Sequence, residues 1–298
     1  MLKQQEMSLS KKTDTMTYMR RFNFLFLLLF AGFFIIALLF TGCMNPAGSE
    51  TAITGGQGTF TITYINMEGA SNHTSNPDVY TVQSPAINLE PPLKANVYFV
   101  CWRVNNSAGT PVSSIPAGST GNKTFYAQWT STEEYNIITE TNKVRTNPAG
   151  YASMLQIELA SISNPGTRSE YQAAIDTLNG VAPRSPVNFE RGLYFAARDH
   201  ADDLIQSNTF SHDSSNGITF SQRIRLYGGS FSYAGENIAA GYPASSSVVK
   251  AWVLSPGHLN NIINPNYNQL GASHVSGHKN YNWISVQDFA RNFVSNQY

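Results

Sequence analysis

Three polar residues in the second half of the chain are of the types that carry out chemistry. His212 follows an aromatic residue and a serine, Glu236 stands between Gly and Asn, and His258 follows Ser-Pro-Gly. Imidazole and carboxylate groups are common ligands of a divalent metal ion and common members of an acid–base pair. Gaps of 24 and 22 residues fix no geometry. A metal site, a catalytic pair and three unrelated structural residues therefore all remain open.

Signatures of other function classes are absent from the sequence. There is no Gly-x-Ser-x-Gly elbow for a nucleophilic serine, no P-loop and no Gly-x-Gly-x-x-Gly dinucleotide fingerprint. The chain has 19 basic and 19 acidic residues, of which residues 1–42 hold five basic and two acidic ones, so the remainder is mildly acidic. Because phosphate binding requires clustered positive charge, we expect no nucleic-acid partner.

The N-terminal segment has the features of an export signal. Arg20 and Arg21 precede an almost unbroken apolar run over residues 22–40, and the small residues Thr41 and Gly42 follow it. A run of about 19 residues is also long enough to span a bilayer. A cleaved signal and an uncleaved membrane anchor are therefore both open on these features alone.

Cys43 favours the cleaved form. The sequence Phe40-Thr41-Gly42-Cys43 resembles the lipobox of bacterial lipoproteins, with Phe40 where that family has Leu. The resemblance implies cleavage before Cys43 and a lipid on its thiol. We therefore expect residues 1–42 to be a signal segment. The chain would then be exported and lipid-anchored to the membrane of a bacterial cell envelope, facing the periplasm or the cell surface. The other cysteine is Cys101, so a lipidated Cys43 leaves no intramolecular disulfide.

Two further regions precede the part of the chain that holds the histidines. Residues 43–58 are small, polar and rich in glycine, which predicts a flexible tether. Residues 59–130 alternate aromatic or aliphatic residues with polar ones between Asn, Pro and Gly clusters, which predicts a small all-β module. Its strands are predicted at 60–64, 80–82, 97–100 and 125–129. The order of features resembles the Listeria-Bacteroides repeat of bacterial surface proteins, which implies a stalk or a weak adhesion unit, with Trp102 and Trp129 in its core.

Residues 131–298 have helical patterns first and strand patterns last. Ser131 or Thr132 begins a helix that Pro148 ends, and a second helix begins at Pro148. After a loop, an apolar stripe predicts a helix over 190–206, and a helix capped by a serine of 244–247 follows. Strands near 270–274 and 281–289 form a hairpin that turns at Gly277. Without regular βαβ alternation, this order predicts the α+β class.

His200 lies on the apolar stripe of the third predicted helix. A histidine there is either a structural residue at the edge of the core, with one nitrogen hydrogen-bonded, or a ligand. Both interpretations remain open for His200.

An ordered set of short motifs runs through residues 133–291. The motifs are Asn142-x-x-Arg145, His200-Ala201, Phe210-Ser211-His212, Ala234-Gly235-Glu236-Asn237-Ile238-Ala239, Trp252 with Ser255-Pro256-Gly257-His258, and Trp283 to Phe289 with Gln287. This ordered set resembles the bacterial branch of the CAP superfamily, the cysteine-rich secretory and SCP-like proteins. The resemblance implies an α/β/α sandwich with a central antiparallel sheet and a cleft lined by a His/Glu cluster. His212 and Glu236 correspond to the first histidine and first glutamate of that cluster.

The cluster departs from the eukaryotic pattern at two of its four positions. Ser255 and Ile284 stand where those relatives have the second glutamate and second histidine, and His258 belongs to the bacterial pattern. Three hypotheses follow. The first, which we favour because the cluster is incomplete, is an envelope lipoprotein that binds a lipid, glycan or protein in the cleft without catalysis. The second is a hydrolase or protease using His212, Glu236 and His258 with a divalent metal such as zinc. The third is an adhesive or structural protein acting through the β module.

Overall fold

The structure, a computed structural model, describes residues 58–296. The predicted signal segment, Cys43 and the predicted tether up to residue 57 lie outside the described residues. All described residues belong to one compact unit, Gly56–Tyr298. No helix in the described part of the chain is long and apolar enough to cross a membrane.

The region predicted as an all-β module consists of short strands around its own small core. Five of them form a sheet in the order β3-β1-β9-β6-β7, in which β1 and β9 run parallel. Trp102 lies in this core, 1% exposed, as predicted, whereas Trp129 is only half-buried. The strands are β1 Phe60–Ile65, β2 Ala70–Ser71, β3 Val79–Tyr80, β4 Ile87–Asn88, β5 Leu93–Lys94, β6 Phe99–Val104, β7 Pro111–Val112, β8 Ser114–Ile115 and β9 Lys123–Trp129.

Helices and a second sheet make up the rest of the described chain. The helices are α1 Thr132–Thr146, α2 Pro148–Leu159, α3 Pro165–Asn179, α4 Arg191–Ser207, α5 Phe220–Tyr227, α6 Ser245–Leu254 and α7 Pro256–Ile262. The strands are β10 Asn188–Phe189, β11 Gly228–Ser230, β12 Tyr233–Ala240, β13 Gln269–His278, β14 Asn282–Arg291 and β15 Val294–Ser295.

The central sheet lies between two layers of helices, as the resemblance implied. Its order is β10-β13-β14-β12, with the last three strands antiparallel and the short β10 parallel at one edge. Because side chains alternate along a strand, Phe289 packs with α1, α2, α3, α6 and α7 on one face, and Val286 packs with α4 on the other. The predicted α+β class is confirmed.

Helix α3 was not predicted. We expected a loop rich in Ser, Asn and Pro between the second and third helices, but 15 of its residues are helical. The helix begins at Pro165, after the Asn164 cap, and buries Tyr171 and Ile175 against the core. The Pro at the first helical position and the helical spacing of the apolar residues both favour a helix here. We gave more weight to the Ser, Asn and Pro content, which is typical of loops.

Four local predictions were wrong. The strand predicted at 80–82 is Val79–Tyr80, and the one predicted at 97–100 begins at Phe99 and continues to Val104. Gly277 does not form the hairpin turn; it lies within β13 at a register shift, with φ +121°. The serine cap predicted for α6 is absent, because Ala244 is the cap residue and Glu133 of α1 accepts the free Ser245 N–H at 2.8 Å.

Aromatic residues join the β module to the helical layer. The Tyr98 ring stacks on Phe189, with the ring centres 4.7 Å apart and 3° between the planes. Cys101 is 1% exposed and packs with Val100 and Tyr194 of α4. Burial raises the pKa of the Cys101 thiol, which favours its uncharged form.

Candidate functional site

Glu236 lies on β12, on the face of the sheet that α4 covers. Its register partner on β14 is Asp288. Gly241 N–H donates to the carbonyl of Trp283, its partner across the two strands, so this pair is hydrogen-bonded. Hydrogen-bonded and non-hydrogen-bonded pairs alternate along antiparallel strands. Glu236 and Asp288, five positions further along, are therefore a pair without backbone hydrogen bonds. Such pairs bring their Cα atoms to about 4.5 Å, the closest approach in an antiparallel sheet. The strand pairing thus places two carboxyl groups side by side in the core.

Both oxygens of the Glu236 carboxylate have donors. His212 Nδ1 lies 2.8 Å from Oε1, and Arg223 Nη2 donates to Oε2. The side chain of Glu236 is 2% exposed and that of Arg223 is 3% exposed, whereas His212 is 56% exposed. The ion pair with Arg223 is therefore buried, and the histidine is the part of this cluster that faces solvent.

Arg223 was missed by the sequence analysis. It lies on α5 between the apolar residues Phe220 and Ile224, on the face that packs into the core. An arginine at a core-facing helical position is a readable signal, because a buried charge requires a partner. The partner could not be read from sequence, since Glu236 is 13 residues away on another element.

Asp288 was also missed. It is 0% exposed, and no N–H or O–H group of the described residues donates to either of its oxygens. Burial raises the pKa of Asp288 well above its ordinary value, and the charge of Glu236 raises it further. A neutral carboxyl group donates a hydrogen bond, so Asp288 is a partner that Glu236 can accept from. The sequence does indicate that Asp288 is buried, because it alternates with the apolar residues Val286 and Ala290 on one face of the same strand.

His200 agrees with the structural interpretation. It is 0% exposed, and its Nε2 lies 2.9 Å from the Ser211 carbonyl oxygen. The same Nε2 is 4.0 Å from Glu236 Oε2. Burial lowers the pKa of His200, against the opposing effect of Glu236, which favours the neutral ring. His200 therefore ties the loop before His212 to α4.

A cleft of about 370 Å³ opens beside this cluster, along the outer strand β12. His258 lies in it, on the first turn of α7. Burial lowers the pKa of His258, and the charge of nearby His212 lowers it further. Glu236 and His212 themselves stand beside the cleft. The cleft is lined by Phe210, Ile238, Ala239, Ala240, Tyr242, Ala251, Trp252, Ser255, His258 and Tyr281.

Side chains from α6 and α7 hold the outer edge of β12. Trp252 Nε1 donates to the Ile238 carbonyl at 3.1 Å, and Asn261 Nδ2 donates to the Glu236 carbonyl at 3.1 Å. Asn237 donates to Gln287 Oε1 and to the His258 carbonyl, both at 3.2 Å. These bonds satisfy an edge strand that would otherwise present unpaired carbonyls. They also fix the floor of the cleft.

The motif residues Asn142 and Arg145 are structural. Arg145 is 1% exposed and donates to four backbone carbonyls, those of Ser185, Ile262, Asn264 and Tyr267. Asn142 accepts from and donates to the Val187 backbone at 2.8 and 3.0 Å. Both residues fasten the loops around the sheet far from the cleft.

The predicted metal ligands do not fit a divalent cation in this arrangement. Among residues 58–296, no three His, Cys, Asp or Glu side chains are placed to hold a metal ion together. A cation at Glu236 would have to compete with the donors that its two oxygens already have, His212 and Arg223. The structure therefore brings His212 and Glu236 into direct contact, and places His258 nearby without a hydrogen bond to either among the described residues.

Comparison with known proteins gives consistent matches. An uncharacterized Bacillus subtilis protein, YkwD, is 32% identical over 117 residues, which are 38% of this chain and 46% of the relative. An uncharacterized B. subtilis membrane protein, YlbC, is 35% identical over 72 residues, 24% of this chain and 21% of the relative. The chain thus spans less than half the length of these two curated relatives.

Solved structures are matched as well. An outer surface protein from Borrelia burgdorferi is 25% identical, with a TM-score of 0.34, over 44% of this chain and 96% of that one. An extracellular protein from Bacillus anthracis that contains an SCP domain is 24% identical, with a TM-score of 0.32, over 44% of this chain and 45% of that one.

The family model for the cysteine-rich secretory protein family, CAP, matches residues 139–289. That range runs from within α1 to within β14 and includes the central antiparallel strands, the His212–Glu236 pair and the cleft. The chain belongs to the cysteine-rich secretory protein (CAP) family.

Proposed function

We propose that this chain is an exported lipoprotein of a bacterial cell envelope, anchored through Cys43, whose CAP domain binds a ligand in the cleft along β12 without catalysing a reaction. The ligand is a lipid, a glycan or a protein segment. The observation that carries the proposal is the cleft itself, whose walls are mostly apolar and aromatic and whose imidazole is that of His258. Such a composition is typical of binding sites, where apolar walls provide affinity and a few polar groups provide orientation.

The rim of the cleft supports recognition of a partner surface. Phe210, Tyr242 and Tyr281 are 44%, 38% and 46% exposed. Phe210 and Tyr281 meet edge to face, with their ring centres 5.9 Å apart. Large aromatic side chains left in solvent beside a cleft are favourable contacts for a ligand, because their burial releases water from a wide apolar area.

The geometry is unfavourable for the hydrolase hypothesis. A general base needs a free lone pair within hydrogen-bond reach of the substrate. Glu236 is buried, and its two oxygens accept from His212 and Arg223. Glu236 is therefore placed to orient His212 and not to act itself as a base towards a substrate.

An adhesive role of the β module is the second candidate, and one feature favours it. A polar depression of about 320 Å³ lies beside Lys94, Arg103 and Trp129. Lys94 Nζ lies 5.6 Å from the centre of the Trp129 ring, and Trp129 Nε1 donates to the Asn66 carbonyl. A partner carrying acidic groups would suit the two basic side chains.

A binding experiment with a filled cleft tests the proposal. The full-length protein in mild detergent is titrated with a fluorescent phosphatidylglycerol, with soluble peptidoglycan fragments and with a pool of synthetic peptides. We expect at least one probe to bind. Ala240→Trp fills the cleft and should weaken that binding by at least about tenfold, equivalent to about 1.4 kcal/mol. Ala173→Trp, on the exposed face of α3, is the matched control. The proposal fails if no probe binds or if Ala240→Trp binds like the control.

A further inference from the structure

Arg223 is a buried cation that β12 and the loop over residues 212–214 hold in place through three acceptors. Its Nη2 donates to Glu236 Oε2 on β12, and its Nη1 donates to Ser214 Oγ at 3.0 Å and to the His212 carbonyl at 3.3 Å. The side chain is 3% exposed. Because these acceptors fix the planar guanidinium group, its charge cannot swing into solvent without breaking all three contacts.

The guanidinium group stands where the potential metal donors come together. His200 Nε2 lies 4.0 Å from Glu236 Oε2, the same oxygen to which Arg223 donates. His212 holds the other oxygen, Oε1, at 2.8 Å. The positive charge of Arg223 therefore lies at the carboxylate around which His200 and His212 converge.

A second cation at this position has two obstacles. The single negative charge of Glu236 is already neutralised by Arg223, so a divalent ion would gain little attraction. It would also stand a few ångströms from a fixed positive charge in a buried site, where water screens repulsion poorly. Removing Arg223 would reverse both effects.

We propose that Arg223 determines the specificity of this site: it is a built-in cation that takes the Glu236 carboxylate and closes the His/Glu cluster to zinc and other divalent metal ions. The cluster then holds His212 in a fixed orientation beside the cleft with no metal present. This inference depends on the contacts of Glu236 and holds whichever ligand the cleft binds.

Thermal unfolding with zinc tests the native chain directly. The full-length protein and its His212→Ala variant are unfolded with and without an excess of Zn²⁺. His212 is 56% exposed, so its replacement leaves the core intact. We expect Zn²⁺ to leave both midpoints unchanged or to shift them equally, since a ligand stabilises only a state that binds it. Stabilisation of the native chain that is lost in His212→Ala would overturn the proposal.

A second experiment asks whether loss of Arg223 opens the site. Arg223→Gln keeps a hydrogen-bond donor and removes the charge, and Arg225→Gln removes an exposed charge from the same helix as a matched control. Titration with Co²⁺, followed by its visible absorption, should show an affinity for Arg223→Gln at least about tenfold above the control. The gain should disappear in Arg223→Gln/Glu236→Gln. Equal affinities of the two single variants would contradict the proposal. If Arg223→Gln does not fold, the zinc comparison decides.

Discussion

Among the individual residues, Glu236 organises the site through its two oxygens. One holds the exposed His212 and the other holds the buried Arg223. The ion pair is sheltered from solvent, so breaking it by removing one partner would leave a buried charge uncompensated, which costs about 3–5 kcal/mol. Glu236 is therefore a positioning residue: it is buried itself, and it fixes the orientation of His212, whose ring is exposed to solvent.

The two histidines beside the cleft should titrate in opposite directions from 6.5, their ordinary pKa. The hydrogen bond to Glu236 raises the pKa of His212, whereas burial, followed by the charge of His212, lowers that of His258. NMR titration of the ring signals should place His212 above His258. In His212→Gln, the His258 midpoint should rise, because a neighbouring positive charge is lost. A His258 midpoint that stays in place in this variant would show that the two rings do not interact.

The His212 shift also predicts a pH dependence of stability. Its pKa is higher in the folded chain than in the unfolded chain, so the stabilisation is fully present below 6.5 and is lost as the pH rises through the folded value. Unfolding midpoints measured across this range should fall less steeply for His212→Gln than for the native chain. Parallel curves would mean that His212 does not gain its partner on folding.

The Trp252 indole should contribute to stability through its hydrogen bond to the Ile238 carbonyl. Trp252→Phe leaves this buried acceptor without a donor, which costs about 1–3 kcal/mol beyond the loss of packing. Trp129→Phe is the matched control, because its indole bond to Asn66 is exposed and water can replace it. Urea unfolding of both variants measures the difference. Equal losses would mean that the edge of β12 is not held by this bond.

Residue types predicted part of the site, and tertiary contacts supplied the rest. His212 and Glu236 were predicted from their motif and lie 2.8 Å apart. Arg223 and Asp288 were not predicted, because a buried ion pair and a cross-strand carboxyl pair depend on how α5 and β14 pack. Charged residues on the apolar faces of α5 and β14 indicate that each is buried with a partner, but the sequence does not show which residue that partner is.

On the scale of elements, the close packing of α4 on β13 places His200 against the sheet. Gly271 allows this approach, since a Cβ at that position would lie 2.0 Å from Tyr194 N and 2.1 Å from Leu193 C. Backbone atoms at such distances cannot move without shifting the helix. The packing of α4 on β13, which places His200 beside Glu236, therefore requires glycine at position 271.

Gly271→Ala should destabilise the chain strongly, by about 3 kcal/mol or more, because overpacking here acts on a helix backbone. Gly229→Ala is the control, since no atom lies within 4 Å of its Cβ position, and we expect a change within about 0.5 kcal/mol. Urea unfolding measures both. A Gly271→Ala variant as stable as the control would contradict the close approach of α4 and β13.

Elements with strong periodicity were predictable, and those with loop-like composition were not. The helix start predicted at Ser131 or Thr132 is observed, and Ser131 and Glu134 cap it reciprocally at 3.1 and 2.7 Å. Helix α3 was missed because its Ser, Gly and Pro residues outweighed a clear apolar spacing. The start of α6 was predicted within residues 244–247, but the acceptor of its first N–H group could not be, since Glu133 belongs to another helix.

For the whole molecule, the lipid anchor remains a prediction from residues outside the described range. If Cys43 is acylated, cells grown with a labelled fatty acid incorporate the label into the full-length chain, and Cys43→Ser stays unlabelled because serine lacks the thiol that carries the lipid. Detergent phase separation of the native chain shows in the same cells whether it is held at a membrane. A native chain that partitions into detergent without carrying the label would identify residues 22–40 as an uncleaved membrane anchor.

The most direct test of the binding cleft uses the tryptophan indole N–H signals as reporters in one NMR titration. Trp252 lines the cleft, and Trp129 lines the depression in the β module. The full-length protein is titrated with whichever of the lipid, glycan or peptide probes binds it. We predict that the Trp252 signal shifts with saturation and that the Trp129 signal does not. A shift confined to Trp129 would contradict binding in the cleft and place the function in the β module.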